Sequence, residues 1–295
     1  MRKRLPILCA ALLLLAACNH HADDNAATTA ASASSSAGSV TATSAPAPTS
    51  PSSPSSAAPA ATATSAASTP AAAASSPQQP AAPAPTPFVD NGRWVEGKDY
   101  QRIEPAQPKV TQTDKVEVVE VFSYGCPACN QFHATVNKLA RELPSNAQMV
   151  YLPASFNPPE NWPMLQRAYY AAQALGVAEK GNDAMYDAVW KTRELTAMAD
   201  NGQGLKPASA LPTLADAAKV YAKFGVDPKE FVAVANSFSV NTKVRRADEL
   251  VKAYGIEGTP TIVVDGKYRF SPNKVGYEES VELAKWLAAK EAAGK

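Results

Sequence analysis

From Asn25 to Val89 the chain carries not one charged residue, and Phe88 is its first Phe, Tyr or Trp. The run is almost wholly Ala, Ser, Thr and Pro. Such a composition buries too little apolar surface to offset the entropy of ordering the backbone, so the expectation is a disordered tether over 18–86. An unstructured chain of about 65 residues has an r.m.s. span on the order of 45 Å, more where prolines stiffen it. A glycosylated, mucin-like stalk would serve as a tether equally well. The folded part is then 87–295, about 209 residues, which is enough for a well-filled core.

Ahead of the tether, Arg2, Lys3 and Arg4 precede a thirteen-residue apolar stretch, Leu5 to Ala17. A bilayer span needs roughly 20 apolar residues, so 1–17 is expected to be a signal peptide directing export to the periplasm. Its end, Leu15-Ala16-Ala17-Cys18, resembles the bacterial lipobox. That resemblance implies that Cys18 is acylated, becomes the mature N-terminus and anchors the protein to a membrane. A plain signal peptide is the alternative. Asn19 in place of Asp leans towards the outer membrane and leaves inner against outer open. Cys9 is discarded with the signal, and His20 and His21 fall in the tether. A formal net charge of +1 makes no case for nucleic acid or an anionic substrate.

The folded part holds two cysteines, Cys126-Pro127-Ala128-Cys129, with no distant partner for either. They must bridge each other, bind a metal or stay reduced. A strand-like run, Val116 to Phe122, leads into them and a helix-like run follows, which puts Cys126 at a helix N-terminus. Unpaired N–H groups and the helix dipole favour an anion there. A thiolate so placed has a lowered pKa and leaves easily, which suits thiol–disulfide exchange. Zinc would want about four ligands, and only Cys126, Cys129 and His133 are near; His133 reads as an exposed helix residue. No flavin, nicotinamide or haem motif occurs, so no cofactor is expected beyond the cysteine pair.

Periodicity arranges the rest. Val116–Phe122 is apolar on both faces apart from Glu117 and Glu120, as in a central strand. Phe132, Val136, Leu139 and Leu143 form one helical stripe that stops at Pro144, and Met149 to Leu152 is a second strand. This is β-α-β, the crossover unit of a parallel sheet. Five helical stripes follow: Met164 to Leu175, Met185 to Trp190, Leu214 to Ala222, a helix opening at Asp227-Pro228, and Val240 to Tyr254. Asp200 to Pro212 reads as a loop. Thr261–Val264, a turn at Asp265-Gly266, Lys267–Phe270 and a helix through Val281, Leu283, Ala284, Leu287 and Ala288 complete the chain. The fold class is α/β: a thioredoxin fold over 87–156 and 255–295, with an all-helical insertion at 157–254.

Two stretches add a family. Glu120-Val121-Phe122-Ser123-Tyr124-Gly125-Cys126-Pro127-Ala128-Cys129-Asn130-Gln131-Phe132 and Gly255-Ile256-Glu257-Gly258-Thr259-Pro260-Thr261, with helices between them, resemble the DsbA family of periplasmic disulfide oxidoreductases. The resemblance implies that Cys126 is the exposed nucleophile and Cys129 the buried resolving thiol. It implies that Thr259-Pro260 is a cis bond lying against the disulfide, with backbone groups free to pair with a substrate strand. Glu120 then matches the family's buried acid, able to relay protons to or from Cys129; a strand-end glutamate reaching solvent is the bland alternative. Pro127 and Ala128 shape the active-site turn, and Ala128 departs from the family's frequent His. Lacking that ring, Cys126 is expected to have a higher pKa, and the disulfide to be less oxidising, than in C-P-H-C members. Tyr124 and Gly125 are candidates for shaping the substrate surface, with packing as the alternative for Tyr124. Trp162 and Trp190 read as core or groove lining.

The leading expectation is an enzyme, a protein disulfide oxidoreductase that gives its Cys126–Cys129 disulfide to reduced or unfolded exported proteins and is reoxidised by a DsbB-like, quinone-linked membrane partner. Two alternatives differ in class. A tethered reductase or isomerase would use the same site in another redox direction, although 19–86 supplies no dimerisation domain. A binding lipoprotein would be either metal-carrying or peptide-binding with a structural disulfide, and a bridge closing so short a loop stabilises little.

Overall fold

The computed structural model describes residues 83–85 and 87–295, so the expected signal peptide over 1–17, the lipidation expected at Cys18 and most of the expected tether over 18–86 lie outside the described residues. The elements run β1 (Gln101–Arg102), β2 (Val116–Phe122), α1 (Pro127–Glu142) and β3 (Ala147–Pro153). Next come α2 (Trp162–Ala174), α3 (Ala178–Trp190), α4 (Leu214–Ala222), α5 (Pro228–Ala235) and α6 (Phe238–Ala253). The chain ends with β4 (Thr261–Val264), β5 (Tyr268–Phe270), α7 (Pro272–Val275) and α8 (Tyr277–Ala292).

One mixed sheet has the order β1-β5-β4-β2-β3. β2 lies inside it, parallel to β3 from Val116↔Ala147 to Phe122↔Pro153 and antiparallel to β4 from Val118↔Val264 to Val121↔Thr261. Both of its faces are covered, which explains its near-continuous apolar character. Two cores form. Val119 and Val121 join residues of α2 to α6, whereas Val118 joins Phe132, Val136 and Leu139 of α1 and Val281, Leu283 and Leu287 of α8. The five helical stripes become α2 to α6, a block inserted between β3 and β4. Its loop over Asp200 to Pro212 contains a short 3₁₀ turn at Ala208–Ala210.

Three residues, 265–267, connect β4 to β5: Asp265 and Gly266 have positive φ of 52° and 68°, and the Lys267 N–H donates to the Val264 carbonyl at 2.9 Å to close the turn. Gly266 is also pinned from outside, because a Cβ there would collide with the Gln107 carbonyl. Two features differ from expectation. β1 joins the edge of the sheet through Gln101↔Arg269 and Arg102↔Tyr268. Ordered contacts also begin before Pro87: the Ser145 N–H donates to the Pro83 carbonyl at 2.9 Å, and the Phe88 ring lies 5.3 Å from that of Trp286.

Candidate active site at the start of helix α1

β2 ends at Phe122, and the turn Ser123–Gly125 delivers Cys126 to the N-cap of α1 with Pro127 at the first helical position. Proline suits that position because its missing N–H would have had no partner there. Cys126 has extended φ and ψ of −85° and 119°, and its Sγ accepts from the Cys129 N–H at 3.3 Å. Cys129 then begins the buried stripe of α1 and is fully enclosed. Both are free thiols here. Cys126 is only 5% exposed, so the expectation of an exposed nucleophile is corrected: in this form the residue is largely covered, with the Thr259 carbonyl of the 255–261 loop 3.4 Å from its sulfur.

That loop crosses from the other side. Thr259–Pro260 is cis, and the Cys126 thiol donates to the Thr259 carbonyl at 3.4 Å. Thr261 Oγ1 donates to the Gly258 carbonyl at 2.7 Å and holds the loop in place. Thr259 Oγ1 is buried without a partner, which leaves its hydroxyl free to donate to a thiolate.

The two sulfurs are driven apart in acidity. The Cys126 pKa is lowered from 9.0 to about 6, chiefly by a hydrogen bond from the Cys129 thiol. Burial opposes this, and the Thr259 hydroxyl with the backbone N–H groups of Cys129 and Ala128 adds to it. Cys129 is pushed well above its ordinary value by burial first, then by its bond to Cys126 and the charges of Cys126 and Glu120.

β2 carries two buried glutamates with different fates. Glu117 accepts from the Val110 and Thr111 N–H groups at 2.7 and 2.8 Å and from the Thr111 hydroxyl, so its carboxylate is satisfied. Glu120 is 1% exposed and its Oε1 has no partner, so it does not reach solvent. Burial, and then the Cys126 charge, raises its pKa from 4.5 to about 8. It therefore holds a proton at neutral pH and interacts electrostatically with both sulfurs. The parallel register sets it opposite Tyr151 of β3.

Several neighbours depart from the sequence expectations. Tyr124 is buried, its hydroxyl donating to Asn182 Oδ1 at 2.8 Å, so it packs and offers no substrate surface. His133 is not exposed: Nε2 lies 2.6 Å from Asp183 Oδ1 and its ring 4.3 Å from that of Tyr186. It is thus turned to α3, and among the described residues no three metal-ligating side chains converge. The Trp190 N–H donates to the Tyr124 carbonyl at 2.8 Å and secures the turn before Cys126. Trp162 is buried against Gly125, where a Cβ would meet its Nε1 at 2.8 Å and Cδ1 at 2.9 Å. Gly125→Ala is therefore expected to displace the indole and cost about 1–3 kcal/mol, read by denaturant unfolding. Wild-type stability in that variant would show that the turn does not need this close approach. Sequence reasoning missed Tyr151 and Tyr277, whose hydroxyl donates to the Ala128 carbonyl at 3.3 Å.

Comparison with known proteins agrees with this geometry. Residues 117–280 match the model of the DSBA-like thioredoxin domain. The chain is 33% identical over 201 residues to the thiol:disulfide interchange protein DsbA of Pseudomonas aeruginosa, covering 68% of this chain and 87% of that protein. It is 33% identical over 178 residues to its namesake from Burkholderia cepacia, covering 60% and 76%. The crystal structure of Pseudomonas aeruginosa DsbA superposes with a TM-score of 0.58 at 31% identity, covering 69% of this chain and 97% of the other. That of the oxidoreductase DsbA from Xylella fastidiosa gives 0.59 at 29% identity, covering 68% and 98%. With its dithiol at the head of α1, the loop of Pro260 across it and helices between β3 and β4, this chain belongs to the DsbA-like thioredoxin family.

Proposed function

We propose that this protein is a thiol–disulfide oxidoreductase that donates a Cys126–Cys129 disulfide to reduced proteins exported to the periplasm. The observation that carries the reading is the placement of Cys126 Sγ at the α1 N-cap, 3.3 Å from the Cys129 N–H, with Cys129 enclosed beneath it. A substrate thiolate attacks Cys126 Sγ, since Cys126 is the less buried of the pair; the Cys126–Cys129 bond breaks and a mixed disulfide forms. Cys129 is a poor leaving group because its pKa is high, and protonation by Glu120 removes that difficulty. A second substrate thiolate attacks the substrate sulfur and expels Cys126, which leaves well with a pKa of about 6. Two electrons pass from the substrate dithiol to the enzyme pair. Thr259 and Pro260 border the reacting sulfur, Thr259 offering its backbone to an extended substrate chain, while Pro127 and Ala128 shape the turn.

Regeneration falls to a DsbB-like, quinone-linked membrane oxidant. Lipidation at Cys18 would hold the protein to a membrane, with 18–86 as tether, 87–156 and 255–295 as the thioredoxin-like part and 157–254 as the helical insertion. No cofactor beyond the cysteine pair is needed for this chemistry.

The deciding measurement is the reduction potential of the pair, obtained by equilibrating the full chain in glutathione buffers. Ionisation of Cys126 at pH 7 favours the dithiol about tenfold, equivalent to about 30 mV. The expected value lies above about −230 mV. A value at or below about −270 mV would reverse the assignment to a reductase.

A further inference from the structure

The Ala128 side chain brings no donor to the active-site turn, and a side-chain donor reaches it from elsewhere. Tyr277 opens α8, half-buried, with its ring 5.1 Å from that of Phe132. Its hydroxyl donates to the Ala128 carbonyl at 3.3 Å and lies equally far from Asn273 Oδ1. The Ala128 carbonyl and the Cys129 N–H belong to one peptide unit, and that N–H donates to Cys126 Sγ at 3.3 Å. A donor on a peptide oxygen draws electron density towards it and leaves the N–H more positive, so linked hydrogen bonds strengthen one another.

We infer that Tyr277 is a positioning residue for disulfide exchange: through the Ala128–Cys129 peptide its hydroxyl strengthens the hydrogen bond that holds the Cys126 thiolate and so favours the dithiol form. The inference rests on Cys126 being the ionised, reacting sulfur. Titratable groups on four elements feel the charge on that sulfur: Glu120 on β2, Cys129 on α1, Tyr186 on α3 and Tyr277 on α8. Burial, and then the charges of Cys129 and Cys126, keep the Tyr277 hydroxyl protonated beyond its ordinary range, so it remains a donor while Cys126 ionises. In the couple concerned, the disulfide and two glutathione thiols give Cys126 thiolate, Cys129 thiol, glutathione disulfide and one released proton.

Tyr277→Phe removes the hydroxyl and keeps the ring on Phe132. The full-length variant is expected to titrate Cys126, followed by thiolate absorbance, about 0.5 pH unit higher than wild type. Its equilibrium constant for reduction by glutathione should fall about threefold, which is about 14 mV at 29.6 mV per tenfold change. A purely structural role would lower the unfolding midpoint and leave both quantities in place. Wild-type values of both would overturn the inference. Should Tyr277→Phe fail to fold, Asn273→Leu decides, since removing the competing acceptor should move both quantities the other way, and no movement would overturn it. The wild-type titration separates the two levels: without a Cys126 transition clearly below the ordinary thiol value of 9.0 the proposed site chemistry itself fails, whatever Tyr277 does.

Discussion

Cys126→Ser is expected to abolish disulfide donation, lowering the rate of oxidation of a reduced model protein at least about a thousandfold, while the fold survives. The loss follows from the pair: without Cys126 no intramolecular disulfide forms, and Cys129, fully enclosed and with a raised pKa, neither meets a substrate nor ionises readily. Survival follows from the N-cap. Serine is among the preferred N-cap residues, and its Oγ can accept from the Cys129 N–H in place of sulfur, so α1 keeps its first turn. Circular dichroism and the unfolding midpoint should match reduced wild type within the roughly 1 kcal/mol that capping changes involve.

Cys129→Ser completes the test. Cys126 then still meets a substrate sulfur, but no partner thiol lies beneath it to release the complex, so mixed disulfides should accumulate on non-reducing gels and vanish with dithiothreitol. Full oxidase activity in Cys126→Ser would sink the oxidoreductase reading and return the chain to the class of binding modules.

How much of this was legible beforehand depended on range. β2, α1 and α2 to α6 were legible because their signals are local: β-branched runs, apolar stripes at helical spacing, Pro228 behind Asp227 and Pro144 after α1. The dithiol was legible because its chemistry needs only spacing and a helix start. β1 was not, being two exposed residues whose strand character comes wholly from pairing with β5. Tyr151 stands opposite Glu120 only through the β2–β3 register, and no pattern within either strand announces it. The Tyr277 contact joins residues 149 positions apart, and His133 meets Asp183 only after α3 folds back on α1. The burial of Cys126 and Tyr124 is of the same kind, for both are covered by segments remote in sequence.

Glu120 yields the other large effect, and its sign is set by the direction of its shift. A carboxyl that titrates at about 8 in the folded protein and 4.5 unfolded contributes stability that is complete below pH 4.5 and is lost as pH rises towards 8. The disulfide form is the one to measure, because Cys126 then carries no charge: burial, the larger cause, acts alone and holds the Glu120 pKa raised but below its value in the dithiol form. At 1.36 kcal/mol per unit, wild-type unfolding free energy should fall by about 3 kcal/mol between pH 5 and pH 8.5 relative to Glu120→Gln, which has no proton to lose. The same substitution should slow oxidation of a reduced protein at pH 7 by about 10- to 100-fold, within the range of one general acid, because Cys129 must then leave unprotonated. Since wild type loses that proton above pH 8, the ratio of the two rates should shrink towards one as pH rises. Parallel stability curves for wild type and variant would remove Glu120 from the proton economy of the site and leave it a buried strand residue like Glu117.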